Sequence, residues 1–199
     1  MKRLFDILLA SFGLIASAPV WVFCAAAIKL EDGGPVFFTQ ERVGKGGRVF
    51  HALKFRSMRP DAEQLTGPVQ SGWNDPRVTR AGRIMRGSAI DELPQLLNIV
   101  RGDMSFVGPR ALRPGEIEMD GGQLVPLEAV PGYESRIRVR PGLTGMAQIY
   151  ADRRVARRQK FRYDALYVRS QSLSLDARLI LLSFWISFRG TWESRGPKY

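Results

Sequence analysis

The chain opens with its longest apolar segment, and no charged residue occurs between positions 7 and 28. Lys2 and Arg3 precede this segment, and Lys29 follows it. A continuous helix over this stretch would be about 33 Å long, which is close to the thickness of the hydrocarbon core of a bilayer. The pattern therefore predicts a membrane-associated helix over residues 1–30.

Three interpretations of this helix are open on the residues alone. The small residues at 16–18 resemble a signal-peptide cleavage site, although the apolar core is longer than such peptides carry. A spanning helix would place Lys2 and Arg3 inside and the basic remainder of the chain outside. In the third interpretation, Pro19 removes a backbone hydrogen bond and bends the helix, so that it enters one leaflet and returns to the same face. The carbonyl groups freed by such a bend would need a partner, such as the hydroxyl of Ser17.

Short β-type segments after the apolar helix predict a β-hairpin. Its strands are expected over 36–39 and 49–55, and the glycine-rich segment 43–47 joins them. This loop lacks the spacing and the following helix of a phosphate-binding P-loop, so an ordinary hairpin turn is the better interpretation. Lys54 and Arg56 are two residues apart, which would place both cations on one face of the strand.

A helical apolar pattern follows a pair of adjacent carboxylates. Apolar side chains recur at helical spacing from position 93 to 100, and Asp91 and Glu92 stand directly before them. With Ser88 as the N-cap and Pro94 in the first turn, the pair would lie at or near the start of the helix. The free N–H groups at a helix start favour negative charge, so the pair could simply complement the helix dipole.

Arginines flank this helix on both sides and suggest a second interpretation of the carboxylate pair. Arg86 lies shortly before Asp91 and Glu92, and Arg110 follows the helix. Carboxylates bind hard cations and guanidinium groups bind phosphates, so the arrangement suits a metal ion and a phosphate better than a packed core. The residues alone leave both interpretations open.

The composition of the chain points to an anionic partner. The 199 residues suffice for one domain with its own core, and the formal net charge is +11. The single cysteine, Cys24, excludes an internal disulfide, and the single histidine, His51, argues against a zinc site. A bound metal would therefore be a hard, oxygen-liganded ion such as Mg²⁺.

Two further segments bear on the nature of that partner. Nine basic residues and one acid lie between positions 136 and 162, which fits either nucleic acid or anionic lipid headgroups. The membrane segment elsewhere in the chain favours headgroups. The apolar segment 173–189 is too short to span a bilayer comfortably, so it is expected to be a core helix, an interfacial helix, or both.

Residues 91–110 carry the sequence DELPQLLNIVRGDMSFVGPR. This long string resembles the signature of the bacterial sugar transferases, the monotopic phosphoglycosyl transferases that begin the assembly of bacterial surface glycans. The resemblance continues through the segments KFRSM, RVRPGLTGMAQI and YDALYVRSQSLSLD at 54–58, 138–149 and 163–176. It therefore covers nearly all of the chain.

The resemblance favours the re-entrant interpretation of residues 1–30, because members of this family carry a broken helix that does not cross the membrane. Relatives often have serine directly before the proline at the break, whereas this chain has Ala18 before Pro19 and Ser17 one residue earlier. Ser17 and Pro19 are therefore the residues expected at the break. Relatives also usually have a second proline after the Gly-Pro-Arg turn, whereas this chain has Ala111.

The resemblance also implies an activity and the residues that carry it. A sugar 1-phosphate would pass from a UDP-sugar to polyprenol (undecaprenyl) phosphate, with release of UMP. Asp91 would be the nucleophile that forms a phosphosugar-enzyme intermediate. Glu92 would help to hold Mg²⁺ or assist the acceptor, and the two carboxylates together are the expected metal site. Phosphate contacts are expected from Arg86 and Arg110, and substrate positioning from Lys54, Arg56 and Gln148.

These inferences combine into an expected α+β, mainly helical architecture. Residues 1–30 would form a re-entrant, kinked membrane helix, and residues 31–199 a single catalytic domain on the cytoplasmic face of the bacterial inner membrane. Interfacial amphipathic helices are expected near 153–168 and 175–189, together with the short β-hairpin. The expected partners are a UDP-sugar, polyprenol phosphate and anionic phospholipids rather than nucleic acid, and a homo-oligomer stays open.

Two other classes of function are open on the sequence. The chain could be a membrane-tethered basic module that binds nucleic acid or anionic lipid without catalysis. It could also be a non-catalytic partner in a glycan assembly complex. The intact pair of Asp91 and Glu92 argues against a non-catalytic partner, since a degenerate relative would have little need of both acids.

Overall fold

The computed structural model describes residues 1–62, 75–120, 122–152 and 155–189, in which short strands are set among helices. The helices are α1 Lys2–Asp32, α2 Arg80–Gly87, α3 Gln95–Arg101, α4 Tyr133–Arg136, α5 Met146–Tyr150, α6 Arg157–Ser170 and α7 Leu173–Phe188. The strands are β1 Phe37–Val43, β2 Val49–Phe55, β3 Ser105–Val107, β4 Ile117–Asp120, β5 Gln123–Pro126 and β6 Gly142–Thr144. The expected mixture of helices and strands, with helices predominating, is confirmed.

The strands pair two by two. β1 and β2 are antiparallel along their whole length, which confirms the predicted hairpin and extends its first strand to Val43. β4 and β5 form a second antiparallel hairpin, and β3 pairs in parallel with β6. The backbone of β6 lies very close to the backbone directly after β3. A Cβ atom added to Gly142 would lie only 2.0 Å from the Gly108 nitrogen.

The apolar N-terminal segment forms one helix, α1, which includes Pro19 and ends where Gly33 adopts a left-handed backbone (φ 69°). Within the described ranges it is the one helix long and apolar enough to cross a membrane, a criterion that core helices and signal sequences also meet. Pro19 has no N–H for the carbonyl four residues before it. The Ser17 hydroxyl does not serve that carbonyl: it donates to the Leu14 carbonyl (3.5 Å) and accepts from the Trp21 indole (3.0 Å).

Three polar side chains bind the N-terminal end of α1 to the rest of the protein. Lys2 forms an ion pair of 2.7 Å with the buried carboxylate of Asp176 in α7. The Arg3 guanidinium donates to two backbone carbonyls of α3, at 2.5 and 2.9 Å. Asp6 is 1 % exposed and accepts hydrogen bonds of 3.1 Å from the Ser105 hydroxyl and from the backbone N–H of the next residue.

The C-terminal end of α1 is bound to the same body. The Glu31 carboxylate accepts from the first two backbone N–H groups of α2, at 2.7 and 3.0 Å. Asp32 pairs with the buried guanidinium of Arg56 at 2.6 Å, directly after β2. Both ends of α1 therefore contact one folded unit.

The carboxylate pair lies near the start of α3, as predicted, but not in the first turn of that helix. It lies in a separate 3₁₀ turn, Ile90–Glu92, and α3 begins only after Pro94. Ser88 is not an N-cap either, because its hydroxyl donates back to a carbonyl in α2 (3.0 Å). Ala89 then adopts a left-handed backbone (φ 57°), which redirects the chain before the pair. Pro94 has no backbone N–H, so the hydrogen bonds of the 3₁₀ turn cannot continue through it.

The predicted C-terminal helix is confirmed as α7 and presents two different faces. Leu179 and Ile180 are buried in the main core. Large apolar side chains on its other side are exposed, namely Leu181, Phe184, Trp185 and Phe188. The helix is therefore partly a core element, and its interfacial role stays a prediction.

The basic segment 136–162 is not a uniformly solvated surface. Arg136 and Arg157 form ion pairs with acidic side chains, and Arg140 donates to a backbone carbonyl at 2.7 Å. These three described cations thus help to hold the fold together. The interfacial helix predicted near 153–168 coincides largely with α6, while positions 153 and 154 fall outside the described residues.

Replacing Asp6 with alanine is expected to weaken the attachment of α1. The substitution leaves the buried Ser105 hydroxyl and a buried N–H without an acceptor, which costs about 1–3 kcal/mol for each group. Thermal unfolding of the purified protein in detergent should show a midpoint lower by several degrees. Leu8→Ala is the matched control, because Leu8 lies on the same helix and is 63 % exposed. Equal midpoints for the two variants would contradict the anchoring role.

Candidate active site

Glu92 lies buried between two cations. Its Oε1 atom accepts from the Lys54 ammonium at 2.6 Å and from the Arg110 guanidinium at 3.0 Å. Burial alone would raise the pKa of Glu92, but the charges and hydrogen bonds of Lys54 and Arg110 outweigh burial and hold this pKa well below its usual value. Glu92 is therefore ionised, and its charge is balanced by side chains of the protein itself.

Asp91 is in a different electrostatic environment. It is 9 % exposed, and burial raises the pKa of its carboxyl above the usual range. The Glu92 charge adds to this rise, whereas Lys54, Arg86 and Arg110 oppose it. The two neighbouring carboxylates thus have pKa values pushed in opposite directions, which is typical of acidic pairs whose members have different roles.

Four parts of the fold bring these side chains together. Lys54 lies near the end of β2, and the pair lies in the 3₁₀ turn Ile90–Glu92. Arg86 belongs to the last turn of α2, and Arg110 follows β3. The predicted association of the pair with Lys54, Arg86 and Arg110 is therefore present in the structure, although the pair sits in a turn and not in a helix.

Asp91 lies on the wall of a cavity of about 520 Å³, a volume in the range of small-molecule sites. Asp91, Arg86 and Arg110 line it, and Gln148 from α5 lines it as well. Among the described residues, eleven cationic side chains and four carboxylates line this cavity. Its field therefore favours a ligand that carries several negative charges.

Arg56 also lines this cavity, but its contacts hold the wall together. Its guanidinium binds Asp32 at the end of α1 and donates to the carbonyls of Pro35 (2.6 Å) and Met58 (3.1 Å). Its predicted part in substrate positioning is untested, and the contacts it makes join α1 to the hairpin.

Arg42 is a site residue that the sequence pattern did not single out. Its guanidinium donates to the Ala111 carbonyl at 3.0 Å, directly after Arg110. Burial and the nearby charges of Arg110 and Arg113 lower the pKa of Arg42 to about 10. The alternation of β1 could have revealed it, because the strand register places Arg42 on the same face as Lys54.

The donor set fits a magnesium ion only if a ligand shares it. Among the described residues, no group of three or more histidine, cysteine, aspartate or glutamate side chains could hold a metal. Mg²⁺ is commonly bound by one or two carboxylates together with substrate phosphates and water. Asp91, with Glu92 beside it, could supply the carboxylates, and a phosphorylated ligand bound in the cationic cavity would supply the phosphate.

Fold and site together define a class of protein in which a long apolar helix is fastened to a folded unit with a cationic cavity, and Asp91 of the buried carboxylate pair lies on the cavity wall. Such a site suits a phosphorylated ligand that is handled beside a membrane. The family model described as "Bacterial sugar transferase" matches residues 1–190. The chain belongs to this family, which confirms the resemblance seen in the sequence.

Individual relatives agree with the family match. The chain is 43 % identical over 185 residues to the "Exopolysaccharide production protein PSS" of Rhizobium leguminosarum bv. phaseoli, covering 90 % of this chain and 91 % of that protein. It is 46 % identical over 187 residues to the "Undecaprenyl-phosphate glucose phosphotransferase" of Komagataeibacter xylinus, covering 92 % of this chain and 35 % of that protein. The chain therefore spans most of the first relative and about a third of the second.

A third relative names both a donor and an acceptor. The chain is 40 % identical over 187 residues to the "UDP-glucose:undecaprenyl-phosphate glucose-1-phosphate transferase" of Caulobacter vibrioides. This match covers 90 % of this chain and 67 % of that protein.

Replacing Asp91 with asparagine is expected to raise thermal stability at neutral pH. Folding raises the pKa of Asp91, so the folded state favours the neutral carboxyl over the charged one. Stability is therefore lost as the pH rises from the usual aspartate pKa through the raised pKa. The uncharged amide avoids this loss. The unfolding midpoint in detergent should therefore rise by about a few degrees near pH 8, and the gain should shrink toward about pH 4.

Asp61→Asn is the control for this comparison, because Asp61 is exposed. A midpoint of the Asp91→Asn variant that falls below the wild-type midpoint near pH 8 would contradict the raised pKa.

Proposed function

We propose that this protein transfers a sugar 1-phosphate from a UDP-sugar to polyprenol (undecaprenyl) phosphate and releases UMP, as the first membrane step of bacterial surface glycan assembly. The observation that carries the proposal is Asp91, a buried carboxylate of raised pKa on the wall of a strongly cationic cavity. Family membership supports it, as do relatives whose names include undecaprenyl phosphate and glucose.

The first half of the reaction uses Asp91 as a nucleophile. A carboxylate oxygen of Asp91 attacks the phosphorus that bears the sugar, and the bond from this phosphorus to the bridging oxygen of the diphosphate breaks. UMP leaves with that oxygen, and the sugar phosphate stays on Asp91 as an acyl phosphate. A raised pKa suits this role, because a more basic carboxylate is a better nucleophile once it is ionised.

The second half restores the carboxylate. A phosphate oxygen of the polyprenol phosphate attacks the same phosphorus, and the bond to Asp91 breaks. The product is a polyprenol diphosphate sugar. Each half brings two anionic groups together: a carboxylate and a diphosphate in the first half, and two phosphates in the second. The cations of the cavity therefore stabilise both transition states. Arg86 and Arg110 are the proposed phosphate contacts.

Glu92 and Lys54 are proposed to keep the site charged and ordered. Glu92 stays ionised because of Lys54 and Arg110, and it holds both cations beside Asp91. Mg²⁺, if held by Asp91 and Glu92 together with the diphosphate, would neutralise further phosphate charge. Gln148, which also lines the cavity, is proposed to position substrate.

The attachment of α1 supports a monotopic placement on the cytoplasmic face of the inner membrane. Lys2 and Arg3 at one end and Glu31 and Asp32 at the other contact one folded unit. A crossing helix would separate its ends by the hydrocarbon thickness, about 30 Å, and only one end could reach a domain in water. We therefore propose that α1 enters and leaves by the same face, with the break at Ser17 and Pro19.

Purified protein in nanodiscs with Mg²⁺ and undecaprenyl phosphate should release UMP with one member of a panel of UDP-sugars. In the absence of the lipid, a donor labelled in its sugar 1-phosphate should give a burst of about one UMP per protein. The label should stay on the chain. Hydroxylamine should release this label, since it cleaves acyl phosphates. Asp91→Asn should abolish both the burst and turnover, whereas the control Asp61→Asn should keep both.

Other outcomes would contradict specific parts of the proposal. Release of UDP would mean transfer of the bare sugar and would exclude the phosphosugar intermediate. Lipid-dependent UMP release without any burst would exclude the covalent step while keeping the overall reaction. Salt-sensitive binding of nucleic acid or anionic lipid without turnover of any donor would favour a non-catalytic basic module.

The proposed topology predicts that both the N-terminus and the hairpin lie in the cytoplasm. In a Cys24→Ala background, a cysteine placed before Met1 and Lys45→Cys in the exposed hairpin turn should both react with an impermeant maleimide in inverted vesicles. Neither should react in intact spheroplasts. Reaction of Lys45→Cys in spheroplasts would establish a spanning helix instead.

A further inference from the structure

We propose that Arg136 is a positioning residue for the proposed reaction, and that it acts by fixing the main chain of Arg110 at the cavity. The inference rests on the proposed function for its kinetic consequence. Its structural basis is a set of direct contacts that tie α4 and α6 to the phosphate-binding loop after β3.

The Arg136 guanidinium is held from two sides. Its Nη2 atom donates to the Arg110 carbonyl at 2.6 Å, and its Nε atom donates to the Asp164 carboxylate of α6 at 3.1 Å. Its central carbon lies 4.6 Å from the centre of the Phe161 ring, a cation–π distance. The residue is only 6 % exposed, so its orientation is set by these partners.

The carbonyl that Arg136 binds belongs to the residue whose own guanidinium reaches Glu92 at 3.0 Å. The next carbonyl, that of Ala111, accepts from Arg42 of β1 at 3.0 Å. Two arginines from different elements thus hold two consecutive carbonyls. The peptide group after Arg110 and the next peptide group along the chain are therefore both fixed, and the Arg110 guanidinium projects from the residue directly before them.

This chain has a particular need for these anchors. Pro109 restricts the backbone before Arg110, but Ala111 after it has no ring to fix φ. Without Arg136, the Arg110 carbonyl loses its side-chain partner, while the Pro109 carbonyl keeps the Gly142 N–H at 2.9 Å and the Ala111 carbonyl keeps Arg42 at 3.0 Å. Small displacements of a phosphate-binding guanidinium lower rates strongly, because transition-state contacts depend on geometry.

Stability alone does not require a buried ion pair at this position. Replacing both members of such a pair with apolar side chains of similar size is often neutral or stabilising, whereas removing one member leaves an uncompensated charge. The double change Arg136→Met with Asp164→Leu therefore removes the Arg110 anchor while keeping a folded protein. A thermal midpoint within a few degrees of wild type should verify this.

A double-mutant cycle tests whether Arg136 acts through Arg110. The Arg136→Met/Asp164→Leu change is introduced into wild type and into an Arg110→Gln background. In wild type it should lower kcat/KM for UMP release about tenfold. In the Arg110→Gln background it should lower the residual rate less than about twofold, since the positioned group is already absent.

The same cycle is measured by calorimetric titration with inorganic pyrophosphate, which requires no turnover. The dissociation constant for pyrophosphate should rise severalfold when the Arg136→Met/Asp164→Leu change is made in wild type. It should stay nearly constant when the same change is made in the Arg110→Gln background. Coupling in pyrophosphate binding without UMP release from wild type would refute the proposed function but keep the positioning role. Equal effects in both backgrounds, or no pyrophosphate binding by wild type, would overturn the positioning role alone.

Arg140→Met is the matched control. Arg140 comes from the same basic segment and also donates to a backbone carbonyl, that of Gly102, at 2.7 Å. It should lower the thermal midpoint while leaving kcat/KM and pyrophosphate affinity within about twofold of wild type. A tenfold loss of kcat/KM in this variant would show that any lost arginine anchor reduces activity, and would remove the special role of Arg136.

Discussion

Burying two adjacent carboxylates is possible in this protein only because cations from distant parts of the chain surround them. Glu92 is compensated by direct contacts with Lys54 and Arg110. The negative charge of Asp91 is compensated less completely, so burial raises the pKa of its carboxyl. The contacts of Glu92 join the hairpin, the 3₁₀ turn and the loop after β3, while Asp91 lies with a raised pKa on the wall of a cavity with surplus positive charge.

The same principle organises the protein outside the site. Asp6, Asp164 and Asp176 are almost fully buried, and each is bound by a partner far away in sequence. These contacts join α1 to β3, α4 to α6, and α1 to α7. Breaking one member of such a contact costs far more than an exposed ion pair contributes, so the apolar helix and the site behave as parts of one unit.

Arginine serves several separate purposes in this small protein. Arg56 fastens α1 to the hairpin, whereas Arg110 faces the cavity and pairs with Glu92. Arg136 and Arg42 hold the consecutive carbonyl groups of Arg110 and Ala111. The net charge of +11 predicted an anionic partner, but it did not reveal that many of these cations are structural.

Local patterns in the sequence were sufficient to predict the apolar helix, the hairpin, the C-terminal helix and the family, because each depends on neighbouring residues. The association of Asp91 and Glu92 with Lys54, Arg86 and Arg110 also followed, since the family motif carries these residues. The start of α3 did not follow, because the chain is redirected at Ala89, whose left-handed backbone is uncommon for a residue other than glycine and is not marked in the sequence.

The sequence by itself determined that the N-terminal segment, the segment near 93–100 and the C-terminal apolar segment are helical, and which residue types could handle phosphate. Only the tertiary structure decided which charges are paired, that both ends of α1 meet one folded unit, and that Arg136 binds the Arg110 carbonyl. The physical reason is distance along the chain. Hydrophobic periodicity acts between residues a few positions apart, whereas the pKa of a carboxylate depends on charges brought together from anywhere in the fold.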